Sequence, residues 1–313
     1  MNKNSKIFVS GHRGLVGSAI CRKLKDSGYM ELIVKTHSEL DLTNQAAVTR
    51  FFSEQRPEYV FLAAAKVGGI LANSSAPAEF IRDNLMIQSN VIDSAYRCGS
   101  VKKLLFLGSS CIYPKFAPQP MKEDHLLTGE LEPTNQWYAI AKIAGIKMVQ
   151  AYRKQYGFKA IALMPTNLYG PEDNFDLKTS HVLPALLRKF HEAKITNATA
   201  VTVWGTGTPK REFLYVDELA DACLFLMLNY DDDQIVNVGT GVDVTISELV
   251  ATIAEVTGFK GQIEYDTSKP DGTPRKLLDV SRLEALGWKA KIGLREGVAR
   301  AYRWYVEHGN AMH

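Results

Sequence analysis

Four cysteines in 313 residues are few, and they stand apart as Cys21, Cys98, Cys111 and Cys223. None belongs to a CxxC pair and their spacing fits no zinc pattern, so no metal site is expected. A chain of this length buries a sizeable core without disulfides, which suits a reducing compartment and points to the cytoplasm. Long runs of one charge are missing too: Lys and Arg are scattered, the formal net charge is +3, and no nucleic-acid partner is expected. No stretch approaches the ~20 apolar residues of a membrane span, and the apolar run at 7–9 is too short for a signal-peptide core, so no membrane association is expected. Internal repeats and low-complexity tracts are also absent. What remains, 46% hydrophobic and 23% charged, is the composition of an ordinary globular protein. The mild positive balance suits anionic small molecules.

Short apolar runs at 7–10, 32–34, 59–62, 104–108 and 160–164 read as buried strands, and helical spacing covers 15–24, 46–54, 78–97 and 136–156. Strands that alternate with helices at regular distances mean a parallel sheet covered on both faces, an α/β fold of the Rossmann-type, doubly wound kind. After Pro165 the character changes. Residues 165–180, rich in Pro, Asn, Asp and Gly, read as a loop; a helix over 181–193, a short strand and Gly-rich turn within 196–212, a helix over 216–228 and a strand over 235–238 follow. The expected organisation is a dinucleotide-binding domain over 1–170, to which 213–240 returns, and a smaller α/β C-terminal substrate lobe made of 171–212 and 241–313.

The turn between the first strand and the first helix reads Gly11, His12, Arg13, Gly14, Leu15, Val16, Gly17. This GxxGxxG spacing is a close relative of the dinucleotide fingerprint. Its glycines allow a tight turn, close approach of backbone to pyrophosphate, and close helix packing, while the helix N-terminus offers free N–H groups to the phosphates. An acid at the end of the second strand would bind a ribose 2′-hydroxyl and select NAD. Here Lys35 and His37 stand there, with Arg13 in the glycine loop. NADP(H) is therefore the expected cofactor. The plainer alternatives are that Lys35 and His37 are solvated surface residues, and that Asp41 serves as the acid in a longer loop.

Tyr138 and Lys142 are four apart on an expected helix and share one face. A nearby ammonium lowers a tyrosine's pKa, and such a tyrosine can hand a proton to a carbonyl oxygen as hydride reaches its carbon. Ser109 ends the strand at 104–108, and in a doubly wound sheet the site lies at the carboxyl ends of the strands. Cys111 follows two residues later; if the chain stays extended there, both side chains point the same way. His181 follows the 165–180 loop and could close over a substrate. Cys21, Cys98 and Cys223 read as small buried hydrophobes, and His125, His191, His308 and His313 as structural or surface residues.

Taken together, these segments resemble the extended short-chain dehydrogenase/reductases that act on nucleotide sugars. WGTGTPKREFLYVD at 204–217 is similar to a signature of that family. AAAKVGGI at 63–70, LGSSCIYP at 107–114, EPTN at 132–135, YAIAK at 138–142, MPTNLYG at 164–170 and KPDGTPRK at 269–276 narrow the likeness to its bifunctional epimerase-reductases. Nucleotide-sugar dehydratases carry an Asp-Glu pair after the strand-end Ser or Thr, which this chain lacks. A simple 4-epimerase has no obvious use for Cys111 and His181.

The resemblance implies NADPH-dependent 3,5-epimerisation and 4-reduction of GDP-4-keto-6-deoxy-D-mannose to GDP-L-fucose. It assigns Ser109, Cys111, Tyr138, Lys142 and His181 as catalytic, with Cys111 the base and His181 the acid of the epimerisations; the residues by themselves do not fix which does which. The cofactor is expected against the glycine loop, Leu107, Gly108, Ser109, Ser110, Lys142, Pro165, Thr166, Asn167, Leu168 and His181. The GDP-sugar is expected against Lys189, Trp204, Arg211 and Asp271, although a half-buried core role suits Trp204 nearly as well. A homodimer through the helices near 78–97 and 137–156 is also implied. The alternatives are a GDP-L-colitose synthase, which inverts C5 only before reduction, and a nonenzymatic NADP-sensing binding protein.

Overall fold

The computed structural model describes residues 1–177, 179–269 and 271–308. Pro270 of the KPDGTPRK signature and His313, read from the sequence as a surface residue, lie outside the described residues. The first part of the chain runs β1 (Ile7–Ser10), α1 (Leu15–Asp26), β2 (Leu32–Ile33), α2 (Gln45–Gln55), β3 (Tyr59–Leu62), α3 (Ile70–Ser75), α4 (Pro77–Arg97), β4 (Lys103–Leu107), α5 (Gln136–Tyr156) and β5 (Ala160–Pro165). Then follow β6 (Asn167–Tyr169), α6 (Val182–Ile195), β7 (Ala200–Trp204), β8 (Lys210–Tyr215), α7 (Val216–Asn229) and β9 (Val236–Val238). The last elements are β10 (Asp243–Thr245), α8 (Ile246–Thr257), β11 (Gln262–Asp266), β12 (Arg275–Lys276), α9 (Ser281–Ala285) and α10 (Leu294–His308).

The doubly wound parallel sheet expected from the sequence is present. Six strands pair in parallel in the order β2-β1-β3-β4-β5-β9. Alternate side chains of each strand enter opposite cores. On one side Ile7, Val9 and Phe61 meet Ile20 and Leu24 of α1 and Leu219 and Cys223 of α7. On the other, Phe8, Val60 and Leu62 meet Phe52 of α2, Ile92 of α4 and Ile146 of α5. Both faces being dry explains why these strands read as continuous apolar runs. The strand order reverses between β1 and β3, and in open α/β sheets ligands bind at that switch point, outside the carboxyl ends of the strands.

A second, smaller sheet is built around β8, which pairs with β10, β12 and β6; β7 and β11 form a separate parallel pair. Leu187 and Phe190 of α6, Leu249 and Ile253 of α8 and Val298 of α10 close over Val203 and Phe213. The segment expected to be loop after Pro165 opens on β6, whose three residues carry no periodicity and become a strand only by pairing with β8. The two sheets are joined at Glu212, a fully buried carboxylate. It accepts from Thr240 N at 2.6 Å, Gly241 N at 2.8 Å and Leu278 N at 3.0 Å. Burial raises its pKa, and these backbone donors oppose that shift.

Candidate active site

The glycine loop is shaped by contact with the loop after β3. Gly11 has φ +75°, and a Cβ there would stand 3.0 Å from the backbone N and Cα of Ala64. Ser10 fixes that approach, its Oγ accepting from Ala63 N at 3.2 Å and Ala64 N at 3.1 Å. A Cβ on Gly17 would lie 2.1 Å from Gly11 O, so α1 seats directly on the loop. Its first turn carries no acid and no side chain caps it. The result is a backbone cradle opening on a helix N-terminus, which fits a dinucleotide pyrophosphate. His12, Leu15 and Val16 are half-buried along it, while Arg13 is exposed and, among the described residues, forms no ion pair.

Acidic groups beyond β2 are engaged within their own turn. Asp41 accepts from Thr43 N at 2.9 Å and Thr43 Oγ1 at 2.7 Å. Glu39, which the sequence reading did not single out, accepts from Thr36 N at 2.8 Å and Oγ1 at 2.7 Å. These hydrogen bonds hold its carboxyl down to about 2. Lys35 lies 3.6 Å from Glu39, and the His37 side chain is 85% exposed, 3.9 Å from Asp41.

At the end of β4, Gly108 is required by Met164, whose Sδ and Cε would lie 2.5 Å from an added Cβ. Ser109 is extended, but the chain then turns: Ser110–Ile112 form a single 3-10 turn, capped by Ser109 Oγ accepting from Cys111 N at 3.2 Å. The condition for Ser109 and Cys111 to point the same way, an extended chain, is therefore not met. The cap bends the chain, and Cys111 nevertheless comes close enough to act electrostatically on Tyr138.

Lys142, buried on α5, donates from Nζ to Leu107 O at 2.8 Å and lies 5.7 Å from the centroid of the Tyr138 ring. A lowered tyrosine pKa was expected. The structure has the reverse: burial pushes the phenol well above its usual range, Cys111 adds to that, and a hydrogen bond with Ser109 opposes it. Burial also brings Lys142 down to about 7. Desolvation dominates both shifts because protein surrounds both groups.

The segment 165–168 crosses from one sheet to the other. Pro165 pairs with Val238, Thr166 N donates to Val238 O at 3.0 Å, and Asn167 Nδ2 donates to Glu212 O at 2.8 Å. Asn167 and Leu168 begin β6. The following loop reaches back to the loop after β3, where Gly69 N donates to Thr179 O at 3.1 Å. His181 is the N-cap residue of α6 and makes no capping bond through its side chain. Its ring is open to solvent, yet enough protein surrounds it to favour the neutral form and lower its pKa. Ser109, Cys111, Tyr138 and Lys142 are thus in mutual reach, whereas His181 has no side-chain hydrogen bond to any of them among the described residues.

The residues expected to hold substrate lie on and beside the smaller sheets: Lys189 on α6, Trp204 on β7, Arg211 on β8 and Asp271 before β12. Trp204 ends β7 and is 65% exposed, so the core alternative for it is not realised. Lys189 Nζ stands 5.5 Å from the centre of its ring. Arg211 on β8 is half-buried, and that burial lowers its pKa, opposed by Asp271. Asp271 accepts from Thr206 N at 2.7 Å and Thr206 Oγ1 at 2.8 Å, so it braces the turn after β7. Sequence reasoning missed Ser10, whose signal is small, and Lys269, which stands in the signature at 269–276 without having been given a role. No cluster of His, Cys, Asp or Glu suited to a metal ion occurs among the described residues. No helix there is long and apolar enough to cross a membrane.

Residues 7–239 match the NAD dependent epimerase/dehydratase family. GDP-L-fucose synthase 1 of Arabidopsis thaliana is 63% identical over 307 residues, which is 98% of this chain and 95% of that protein. GDP-L-colitose synthase of Yersinia pseudotuberculosis is 38% identical over 307 residues, 97% of this chain and 99% of that one. Among solved structures, a GDP-L-fucose synthetase from Naegleria fowleri bound to NADP superposes with a TM-score of 0.93 at 28% identity, covering 99% of this chain and 95% of that chain. With a matching model across most of its length and near-complete coverage at this level of identity, the chain belongs to the NAD dependent epimerase/dehydratase family, in its GDP-L-fucose synthase branch.

Proposed function

We propose that this chain converts GDP-4-keto-6-deoxy-D-mannose to GDP-L-fucose by epimerisation at C3 and C5 and reduction at C4, using NADPH. The observation that carries the reading is the convergence of Ser109, Cys111, Tyr138 and Lys142 at the end of β4, one strand from the glycine cradle. The relatives named above favour fucose over colitose as the product. The cofactor would be held by Gly11, His12, Arg13, Gly14, Leu15, Val16 and Gly17, by 107–110 and 165–168, and by Lys142 and His181; when bound it supplies the hydride for C4. The tied Glu39 and Asp41, and the free Arg13, support NADP over NAD.

The protein's own groups account for the proton movements. The 4-keto group acidifies C3 and C5, because the carbanion at either carbon is an enolate. Ser109 and Tyr138 donate hydrogen bonds to that oxygen as charge builds on it. Cys111, as thiolate, removes the proton and His181, having taken a proton from solvent against the burial that favours its neutral ring, returns one from the other face; Cys111 gives its proton to solvent and His181 takes another before the second carbon is inverted. Tyr138, kept protonated by burial, then gives its phenolic proton to the C4 oxygen, and Lys142 stabilises the phenolate left behind. Lys189, Trp204, Arg211 and Asp271 bind or frame the GDP moiety, with the Arg211 fork suited to two diphosphate oxygens. In this reading 1–170 with 213–240 forms the cofactor domain, 171–212 and 241–313 the substrate lobe, and α4 and α5 the homodimer face.

The test is turnover in heavy water with GDP-4-keto-6-deoxymannose and NADPH, following NADPH absorbance and locating deuterium by NMR. NADPH loss with deuterium at C3 and C5 is expected. Deuterium at C5 alone would move the chain to the colitose reading, and reduction without exchange would remove Cys111 and His181 from the mechanism.

A further inference from the structure

Two ammonium groups meet at the Trp204 ring at the end of β7, and Arg211 stands near Gly272 of the segment that follows Lys269. β11 lies parallel to β7, with Asp266 in register with Trp204. The chain then folds back in a turn built on that aspartate: Ser268 donates from N at 3.0 Å and from Oγ at 2.5 Å to Asp266 Oδ1, and Lys269 N donates to Asp266 O at 3.2 Å. The turn brings Lys269 back to the strand partner of Asp266, and Lys269 Nζ stands 5.7 Å from the centroid of the Trp204 ring.

Lys189 reaches the same ring from α6, with Nζ 5.5 Å from the centroid and 3.5 Å from Thr202 O. Arg211 borders the same segment, its Nη2 lying 3.6 Å from where a Cβ on Gly272 would stand. Glu212, next to Arg211, is turned to the backbone of Thr240, Gly241 and Leu278, and Asp271, two residues from Lys269, acts on Arg211 while both its oxygens are engaged by Thr206. Among the described residues, none of Lys189, Lys269 and Arg211 forms an ion pair. Two ammonium groups held at one indole repel each other. The ring's negative face offsets part of that repulsion, and an anion close to both offsets the rest.

We infer that Lys269 is a third cation for the diphosphate of the bound nucleotide sugar, acting with Lys189 and Arg211 from the opposite strand of the β7–β11 pair. The inference rests on the GDP-sugar reading above. Trp204 serves as the platform on which both ammonium groups are arrayed before the ligand arrives, so little side-chain freedom remains to be lost on binding. Arg211 supplies the paired, directional contact, and the two lysines supply charge that tolerates small shifts of the phosphates.

Calorimetric titration of the full chain with GDP, guanosine and UDP tests this. Lys269→Ala is expected to weaken GDP about tenfold, the worth of one charge-assisted contact, while leaving guanosine unchanged. Lys269→Arg should keep GDP within about twofold of the parent. Equal GDP affinity in Lys269→Ala and the parent would overturn the inference. So would a matching loss for guanosine, because Lys269 would then be acting on the placement of Trp204 and not on the diphosphate. A parent chain that binds UDP as tightly as GDP, with Lys269→Ala weakening both, would overturn the guanosine-specific reading of the substrate and leave the diphosphate contact standing.

Discussion

Lys142 carries two tasks that compete at one nitrogen. It donates to Leu107 O, which fixes its position at the end of β4, and it faces Tyr138, whose phenolate it favours in the proposed mechanism. Burial lowers the lysine and raises the tyrosine, so without ligands the pair is held back from charge separation. At this scale the two halves of the chemistry separate by residue. Tyr138→Phe is expected to abolish NADPH oxidation, by about 10²-fold or more as for loss of a general acid, while deuterium still enters at C3 and C5. Cys111→Ser is expected to suppress the exchange and to leave NADPH binding unchanged. NMR of the recovered sugar with an NADPH fluorescence titration decides between them, and full activity in both variants would sink the assignment. Tyr138 and Lys142 are legible from their spacing on one helix face. The direction of their pKa shifts is not, because burial depends on what α5 packs against.

At the scale of elements, two segments set the edges of the site. The junction of β1 and α1 is closed by Gly17, where a Cβ would meet Gly11 O at 2.1 Å and His12 N at 2.9 Å. Gly17→Ala is therefore expected to cost roughly 2 kcal/mol or more and to weaken NADPH binding. Gly14→Ala, whose Cβ would make only an ordinary 3.6 Å contact with Gly11 O, should stay within about 0.5 kcal/mol of the parent. Urea denaturation of the two variants side by side measures the difference.

The second segment is the loop between β6 and α6. Asp173 is buried there, one carboxylate oxygen accepts from Asn174 N at 2.8 Å, and the other has no hydrogen-bond partner among the described residues. Burial raises this carboxyl from 3.8 to about 7. Between those values the folded chain holds a proton that the unfolded chain has released. Stability therefore falls as pH rises through that window, and the penalty is complete above it. Asp173→Asn should melt higher than the parent at pH 8, by the equivalent of about 1–3 kcal/mol, and alike at pH 4. An equal difference at both pH values would rule out titration of Asp173 as the cause.

For the whole molecule, the decisive contacts are between parts far apart in sequence. Asn237 on β9 is fully buried. It accepts from Tyr113 OH at 2.5 Å and donates from Nδ2 to Met121 O at 2.9 Å and Asp279 O at 3.0 Å; its backbone N donates to Glu123 Oε1 at 3.0 Å. One amide thus pins the segment after Cys111 and the chain before α9 onto the main sheet. Asn237→Ala takes the amide from Tyr113 OH and Asp279 O, while Met121 O still accepts from Asp279 N at 2.8 Å, and is expected to cost about 2–4 kcal/mol, read by chemical denaturation; a loss under about 1 kcal/mol would show that water replaces the amide. Glu132 makes a comparable link on the substrate side, accepting from Lys115 Nζ at 3.1 Å and Thr273 Oγ1 at 3.5 Å.

The sequence by itself determined the alternation of strands and helices, the glycine loop and the Tyr138–Lys142 pair. Each is written in local spacing: apolar runs that both sheet faces bury, a glycine loop whose Gly11 and Gly17 leave no room for a Cβ, and a four-residue step along one helix face. Only the tertiary structure decided where the second sheet lies, because β6 and β12 are strands solely through their partner β8. It also decided that Cys111 leaves the strand through a 3-10 turn and still reaches Tyr138, and that Asp271 braces the turn after β7. Lys269 arrives at Trp204 for the same reason: the register of β7 with β11 joins residues more than sixty positions apart, and no local pattern in the chain encodes that pairing.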